Sequence, residues 1–446
     1  MRRLRPGTVV AALLLALLAS SCSQMPPPRP AQPPPVATPG EKPAPPGGPA
    51  PGPMTISAEP MIDVGLAWDL DSLELHPDPG VSLASSSRSR ELSRWRPRGA
   101  VRVVRRAGSA EVSAAGAASP FRLVPGDTLW SYLGGTVFGW GGRSWRGTFK
   151  VFLNPRGKLT LVDHLPLETY LLGVVPGEIG GLAKELIEAG RAQAIAARSY
   201  TLFYRGRRAS EGFDLYGTVE DQVYGPVESE RPLATDCVND TRGQVALYDG
   251  QPIRANYCST CGGVSAEVWE AWPASPLPYL QSRRDGERGV DYCAASPQYR
   301  WRERWSEEDF LDNLERFGPG LGVRLPAAGL GDLVDVRADA RSRSGRVWRL
   351  LVRTTTGDVT IPSYAIRGVL RRGGNPGAML RSNLFKIDVR RHPATGRALE
   401  VLASGGGSGH GVGLCQTGAL GMARAGARAA EILDHYYARV DLKRLY

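Results

Sequence analysis

One stretch restricts the fold more than any other. Residues 170–204 read YLLGVVPGEIGGLAKELIEAGRAQAIAARSYTLFY. The apolar run at 171–175 is interrupted only by Gly173, and a turn is expected at Pro176 and Gly177. Glu178 follows that turn, and a glycine pair, Gly180 and Gly181, comes next. From Leu182 the pattern is helical. Leu186, Gly190, Ala194, Ala197, Thr201 and Tyr204 recur at steps of three and four and share one face. Strong helix formers with small side chains at 192–197 allow another element to approach closely. At about 100° per residue, Gln193 falls near Leu186 and Arg198 near Ile187, so two polar groups lie beside the apolar stripe. A carboxylate on a glycine-flanked turn, facing a helix with inward-leaning Gln193 and Arg198, is a candidate active site. Spacing alone equally permits a solvated carboxylate before a helix.

The start of the chain bears on where this site works. MRRLRPG precedes a ten-residue apolar run at 9–18, then small residues and Cys22. Such a run is too short to span a bilayer and reads as a secretory signal. The small residues before Cys22 suggest lipoprotein-type processing over 1–22, with plain secretion the alternative. Residues 23–53, rich in Pro, Ala and Gly, predict a disordered spacer. Residues 54–97 are expected to be poorly regular, with at most one strand. Strand-like alternation begins at VRVV (101–104) and returns in PFRLV, TFKVFLN and LTLVDHL. An Asp249–Gly250 hairpin, a helix over 306–317, strands over 333–361 and helices at 418–425 and 429–437 complete the reading. Strands and helices do not alternate regularly, so the expected class is α+β: mostly antiparallel strands, a few helices, and one central helix carrying AQAIAARSY in a domain spanning 98–446.

The net charge of +11 fits an anionic cell wall, and a secretory signal argues against a nucleic acid partner. With Cys22 set aside, five cysteines remain, an odd number that leaves at least one outside any intramolecular bridge. Cys258 and Cys261 form a CxxC, and Cys293 lies 32 residues beyond Cys261. Three thiolates converging on zinc, a disulfide to Cys293, and buried free thiols all fit these residues. Cys415 is expected to be a packed thiol.

Four segments also resemble, in order, the signature of the SpoIID/LytB family of peptidoglycan lytic transglycosylases. They are VVPGEI with RAQAIAARSY, DQVYG at 221–225, YCSTCGG at 257–263, and GHGVGLCQTGALGMA at 409–423 followed by EILDHYY. The likeness covers roughly residues 146–446. It implies cleavage of the glycan strand between MurNAc and GlcNAc to leave 1,6-anhydro-MurNAc ends. Glu178 would be the acid/base, and Arg198 would stabilise developing charge or hold substrate. Gln193, Tyr224, His410, Gln416 and Tyr436 become candidates for substrate binding. His410 stands among seven glycines between Gly405 and Gly418, a loop whose backbone can approach a ligand closely, or else is a structural loop histidine. Tyr436 is either a sugar-stacking wall or a core anchor. Relatives can carry zinc near YCSTCGG through mixed cysteine and histidine ligands, so Cys258, Cys261 and Cys293 are the candidate set for a structural zinc. The implied partners are glycan strands, with or without stem peptides, and a wall amidase. The protein would act outside the cytoplasm, touching the membrane through its lipid anchor only. The competing class is a non-catalytic glycan-binding protein or amidase enhancer. A metal-dependent hydrolase is disfavoured by the lack of HxxxH-type spacing.

Overall fold

The computed structural model describes residues 54–78, 81–87, 90–115, 120–132 and 137–446. The expected signal at 1–22 and the Pro-rich spacer at 23–53 lie outside the described residues. The class is α+β, as expected.

The amino-terminal part consists of two sheets. The first, of seven strands, runs Leu215–Tyr216, Met61–Leu70, Leu159–Pro166, Thr148–Leu153, Thr128–Tyr132, Ser82–Ser87, Arg90–Trp95. The second, of six, runs Arg143–Arg146, Val137–Trp140, Ser72–Pro77, Val101–Arg106, Ser109–Ala114, Phe121–Leu123. Period-two patterning points one face inward: Val101 and Val103 are buried while Arg102 is exposed. Leu73, Leu75 and Val103 of one sheet share a single core with Leu83, Leu129 and Leu161 of the other. Residues 61–95 therefore hold four strands where the sequence suggested irregular chain. Their partners are distant: Met61–Leu70 pairs with Leu159–Pro166, and Ser82–Ser87 with Thr128–Tyr132. A boundary near residue 98 does not exist in this sheet.

Eight α-helices occur among the described residues: α1 (Leu167–Ile179), α2 (Ile187–Tyr204), α3 (Pro232–Asp240), α4 (Val268–Ala271), α5 (Glu307–Phe317), α6 (Ser363–Val369), α7 (Gln416–Arg424) and α8 (Ala429–Tyr436). None is long and apolar enough to cross a membrane. The central helix α2 is enclosed nearly all round, with 13 of its 18 residues buried, against α1, α3, α7, α8 and the strand Gln244–Tyr248. The expected turn at Pro176 and Gly177 is absent, because α1 runs through both. Burial of Leu171, Val174 and Val175 in the common core overrides the local cost of a helical proline.

Other expectations fall on observed elements. Asp249 and Gly250, both at positive φ (49° and 74°), turn the hairpin of Gln244–Tyr248 with Gln251–Pro252. Ser306 caps α5, its Oγ accepting from Asp309 N at 3.0 Å. A second hydrophobic core gathers Trp301, Trp305, Phe310, Val352, Ile366 and Val401 within residues 301–403.

Candidate active site

The site is built on one face of α1. Gly173 and Gly177 are one turn apart, and residues 223–225 lie against them. A Cβ on Gly173 would stand 2.5 Å from the Gly225 carbonyl oxygen, and one on Gly177 would stand 3.1 Å from that of Val223. Glycine lets the two backbones touch. That contact brings Val223 N to donate to Glu178 Oε1 at 2.8 Å. From the other side Gln416, opening α7, donates Nε2 to Glu178 Oε2 at 3.2 Å. The Tyr257 hydroxyl, 2.8 Å from Gln222 Oε1, also lies against the carboxylate.

DQVYG thereby acquires a reason at each position. Asp221 accepts from Tyr216 N and faces Arg207 and Arg208. Gln222 donates to Tyr170 Oη of α1 and Thr201 Oγ1 of α2, at 3.2 and 2.8 Å. Val223 supplies its N–H to Glu178. Tyr224 is buried between the Trp145 and Tyr170 rings, its hydroxyl donating to Asp163 at 2.9 Å. Gly225 closes the contact with α1.

Burial raises the Glu178 pKa above the ordinary carboxylate range, and the neutral groups around it, the Val223 amide, Gln416 and the Tyr257 hydroxyl, offset it only in part. No cation pairs with Glu178 among the described residues. Its place in the last turn of α1, rather than before a helix, adds to this: the carbonyl end of a helix disfavours negative charge. The arrangement suits a group that holds its proton to higher pH than an ordinary glutamate and can still accept the charge left when the proton is given up.

Arg198 is not brought to Glu178. It is fully buried and forms a two-point pair with Glu168, Nε to Oε1 at 2.8 Å and Nη2 to Oε2 at 2.6 Å. Its remaining donors reach the carbonyls of Ala194, Val238 and Gln244. No donor remains to meet a substrate. Tyr224 is likewise interior rather than substrate-facing. Gln193 is fully buried on α2, and neither polar atom of its amide has a partner. His410 packs on Trp272 at 4.7 Å, accepts at Nδ1 from Val412 N, and bonds the Tyr257 main chain. Burial, then Arg367, Arg254 and Arg346, push it down to about 3. His410 therefore stays neutral and fixes Tyr257 from behind. Tyr257, Gln222 and the Val223 amide escaped sequence reasoning; only the adjacency of Tyr257 to Cys258 in YCSTCGG marked it.

The cysteines assemble differently from expectation. The ligand atoms of Cys261, Asp285, Cys293 and Cys415 all lie within 4.8 Å of one another and are buried, while Cys258 is outside the group. The five described cysteines are unbridged. Strand pairing explains the exchange: Tyr257–Cys258 runs parallel to Leu414–Cys415, which carries the Cys415 thiol to the Cys261 side. Cys261 and Cys293 sulfurs are 3.8 Å apart, the edge of a tetrahedron with metal–sulfur bonds of about 2.3 Å. Cys261 N and Gly418 N point at Cys415 Sγ, at 3.1 and 3.3 Å, as suits a thiolate. Tyr436, buried rather than lining a groove, donates to Asp285 Oδ1 at 2.5 Å, and Cys293 N donates to Oδ2 at 3.1 Å. Three sulfurs and one carboxylate in this spacing fit zinc.

The Stage II sporulation protein family, SpoIID, matches residues 155–248, and a domain of unknown function (DUF8618) matches residues 289–413, much of it the second core. An uncharacterized protein of Brachyspira hyodysenteriae is 27% identical over 300 residues, 66% of this chain and 70% of that protein. Stage II sporulation protein D of Bacillus subtilis is 27% identical over 294 residues, 62% and 74% of the two chains. An amidase enhancer of Bacillus subtilis is 26% identical over 309 residues, 60% of this chain and 39% of the relative. Residues 155–248, which hold Glu178, α2 and DQVYG, are thus a SpoIID domain. This domain and the likeness to Stage II sporulation protein D and an amidase enhancer support the SpoIID/LytB family.

Proposed function

We propose that the protein is a peptidoglycan lytic transglycosylase of the cell envelope, with Glu178 as its single acid/base. The observation that carries this reading is a buried carboxylate with no cation, held by two uncharged donors with the Tyr257 hydroxyl beside it. Protonated Glu178 gives its proton to the glycosidic oxygen as the bond from C1 of MurNAc to that oxygen breaks. The carboxylate then takes the proton of the same sugar's 6-hydroxyl as O6 bonds to C1. The product is a 1,6-anhydro end, no water is consumed, and Glu178 is returned protonated. The Val223 amide and Gln416 stabilise the carboxylate between the two transfers. A second carboxylate, which hydrolysis by the usual routes needs, has no task here.

Cys261, Asp285, Cys293 and Cys415 would hold a structural zinc. Zinc there supplies a covalent-strength tie, not a reacting group. Cys415 precedes Gln416, and Tyr257–Cys258 pairs with Leu414–Cys415, so the tie sets where Gln416 and Tyr257 meet Glu178. About one zinc per chain is expected by elemental analysis, with stripping by chelator lowering the melting temperature; neither effect would leave only packed thiols. The signal-like start and Cys22 support lipid anchoring outside the cytoplasm.

The decisive experiment is digestion of purified glycan strands by the full chain and its Glu178→Gln variant, read by mass spectrometry. Anhydro-ended fragments from the parent alone are expected. Reducing ends carrying added water would make it a hydrolase. The likeness to an amidase enhancer supports a second reading, and no cleavage with retained strand binding and stimulation of a wall amidase would favour that.

A further inference from the structure

Beyond the carboxylate, one cluster has charge with no counterpart. Arg254, Arg346 and Arg367 all act on the His410 ring. Among the described residues none of the three forms an ion pair. Arg346 is 2% exposed; its Nη2 donates to the carbonyls of Cys261 and Val264, yet Nε and Nη1 have no partner. Arg367 donates Nε to the Leu380 carbonyl only, and Arg254 Nε is buried without any acceptor. Buried guanidinium groups are ordinarily paired, and unpaired ones are costly. Arg346, buried with two unpartnered nitrogens, and the half-buried Arg254 and Arg367, which also lack a counter-ion, converge on the His410 ring and create a site for an anion.

The cluster opens beside the proposed reaction centre. Arg254 lies over the Trp272 ring at 4.8 Å and over Tyr204 at 5.7 Å. Stacking on rings leaves the N–H groups in the guanidinium plane free to grip a carboxylate. Arg254, Tyr204, Trp272 and His410 are all half-buried, whereas Arg346 is fully enclosed. Tyr204 contacts Tyr200 at 4.6 Å, Tyr200 contacts Tyr257 at 6.1 Å, and Tyr257 lies against Glu178. Arg254 and Tyr257 are three residues apart, a reach of at most about 10 Å. An anion held by Arg254 therefore belongs to the same glycan strand as the bond being cut.

We propose that Arg254, clamped by Tyr204 and Trp272 and backed by Arg346 and Arg367, is a carboxylate-binding subsite that selects acidic glycan. This rests on the glycan reading of the site. The carboxylate comes either from the muramic acid lactyl group, free when no peptide is attached, or from a stem peptide. A neutral amino-sugar polymer offers neither. The subsite thus sorts wall glycan from uncharged glycan by charge, while Glu178 supplies the chemistry.

The test is binding by the full chain carrying Glu178→Gln, so that turnover is not required. Probes are short peptide-free strands, the same strands with lactyl carboxyls reduced to alcohols, and strands bearing stem peptides. An acidic strand should bind at least about tenfold tighter than the reduced one at low salt, with the gap closing as salt rises. Preference for the peptide-free strand identifies the lactyl group as the anion; preference for the peptide-bearing strand identifies the peptide. Arg254→Gln should remove the gap and Arg254→Lys keep part of it, while Arg349→Gln on the exposed hairpin changes nothing. Equal binding of acidic and reduced strands, or a gap that survives Arg254→Gln in a protein with unchanged melting temperature, overturns the proposal. A charge preference without cleavage by the parent would defeat the transglycosylase reading and leave this one standing.

Discussion

Glu168 and Glu178 stand at opposite ends of α1, and both leave solvent, yet their surroundings push them in opposite directions. Glu168, in the first turn, meets the Arg198 guanidinium at two points and accepts from Gly243 N and Tyr446 Oη. Burial opposes its charge, but Arg198 and the other donors prevail and hold the pKa below the ordinary value. Glu178, in the last turn, has only neutral donors, and there burial prevails. A buried carboxylate with a cation is an ionised strut; one without is a stored proton. The same helix carries a structural acid and a chemical one, separated by whether an arginine was placed opposite.

The largest effect should come from removing the stored proton. Glu178→Gln is expected to lower strand cleavage by about 10³-fold, within the range for a lost general acid, while denaturant unfolding remains within about 1 kcal/mol of the parent. Arg198→Met should do the reverse: it strands Glu168 in the core and should cost about 3–5 kcal/mol in the same unfolding assay. A stable Arg198→Met protein lacking activity would instead restore Arg198 to the reaction.

Stability against pH should separate the two glutamates by sign. Glu168 has a lowered folded pKa, so it contributes stability above its unfolded pKa of about 4.3 and loses it as pH falls through the folded value. Glu178 has a raised folded pKa, so its contribution is complete below about 4.3 and is lost as pH rises through the folded value. Replacing Glu168 by Gln should therefore flatten the acid side of the stability curve, and replacing Glu178 should flatten the side above it. The same slope change from both variants would erase the distinction. The smallest effect is expected from Gln416→Met, which removes one donor to the ionised form and should raise the Glu178 pKa further.

Much of this was legible in the chain, and the failures have causes. The small-residue face of α2, the cap at Ser306 and the Asp249–Gly250 turn are local signals that the fold retains. Ser82–Ser87 and Arg90–Trp95 lack apolar alternation, and their order comes from pairing with each other and with distant Thr128–Tyr132. Pro176 suggested a stop that core burial overrode. Glu178 was legible as a motif residue, whereas its place at a helix end was not. Arg198 and Glu178 lie close in sequence, so pairing of Arg198 with Glu168 across α1 and α2 was invisible. Cys415 joined Cys261 and Cys293 through a strand pairing that no spacing rule encodes, and Asp285 through the neighbouring bridge of Val264 with Arg284.

The most direct test of Glu178 as the stored proton is the pH dependence of kcat/KM for strand cleavage, in the parent and in Gln416→Met. The account predicts a rate that falls on the alkaline side with a midpoint above the ordinary glutamate value, and a midpoint moved higher by Gln416→Met. A rate that instead rises with pH through the ordinary carboxylate range would show that Glu178 works ionised from the start, and would contradict its role as the proton donor.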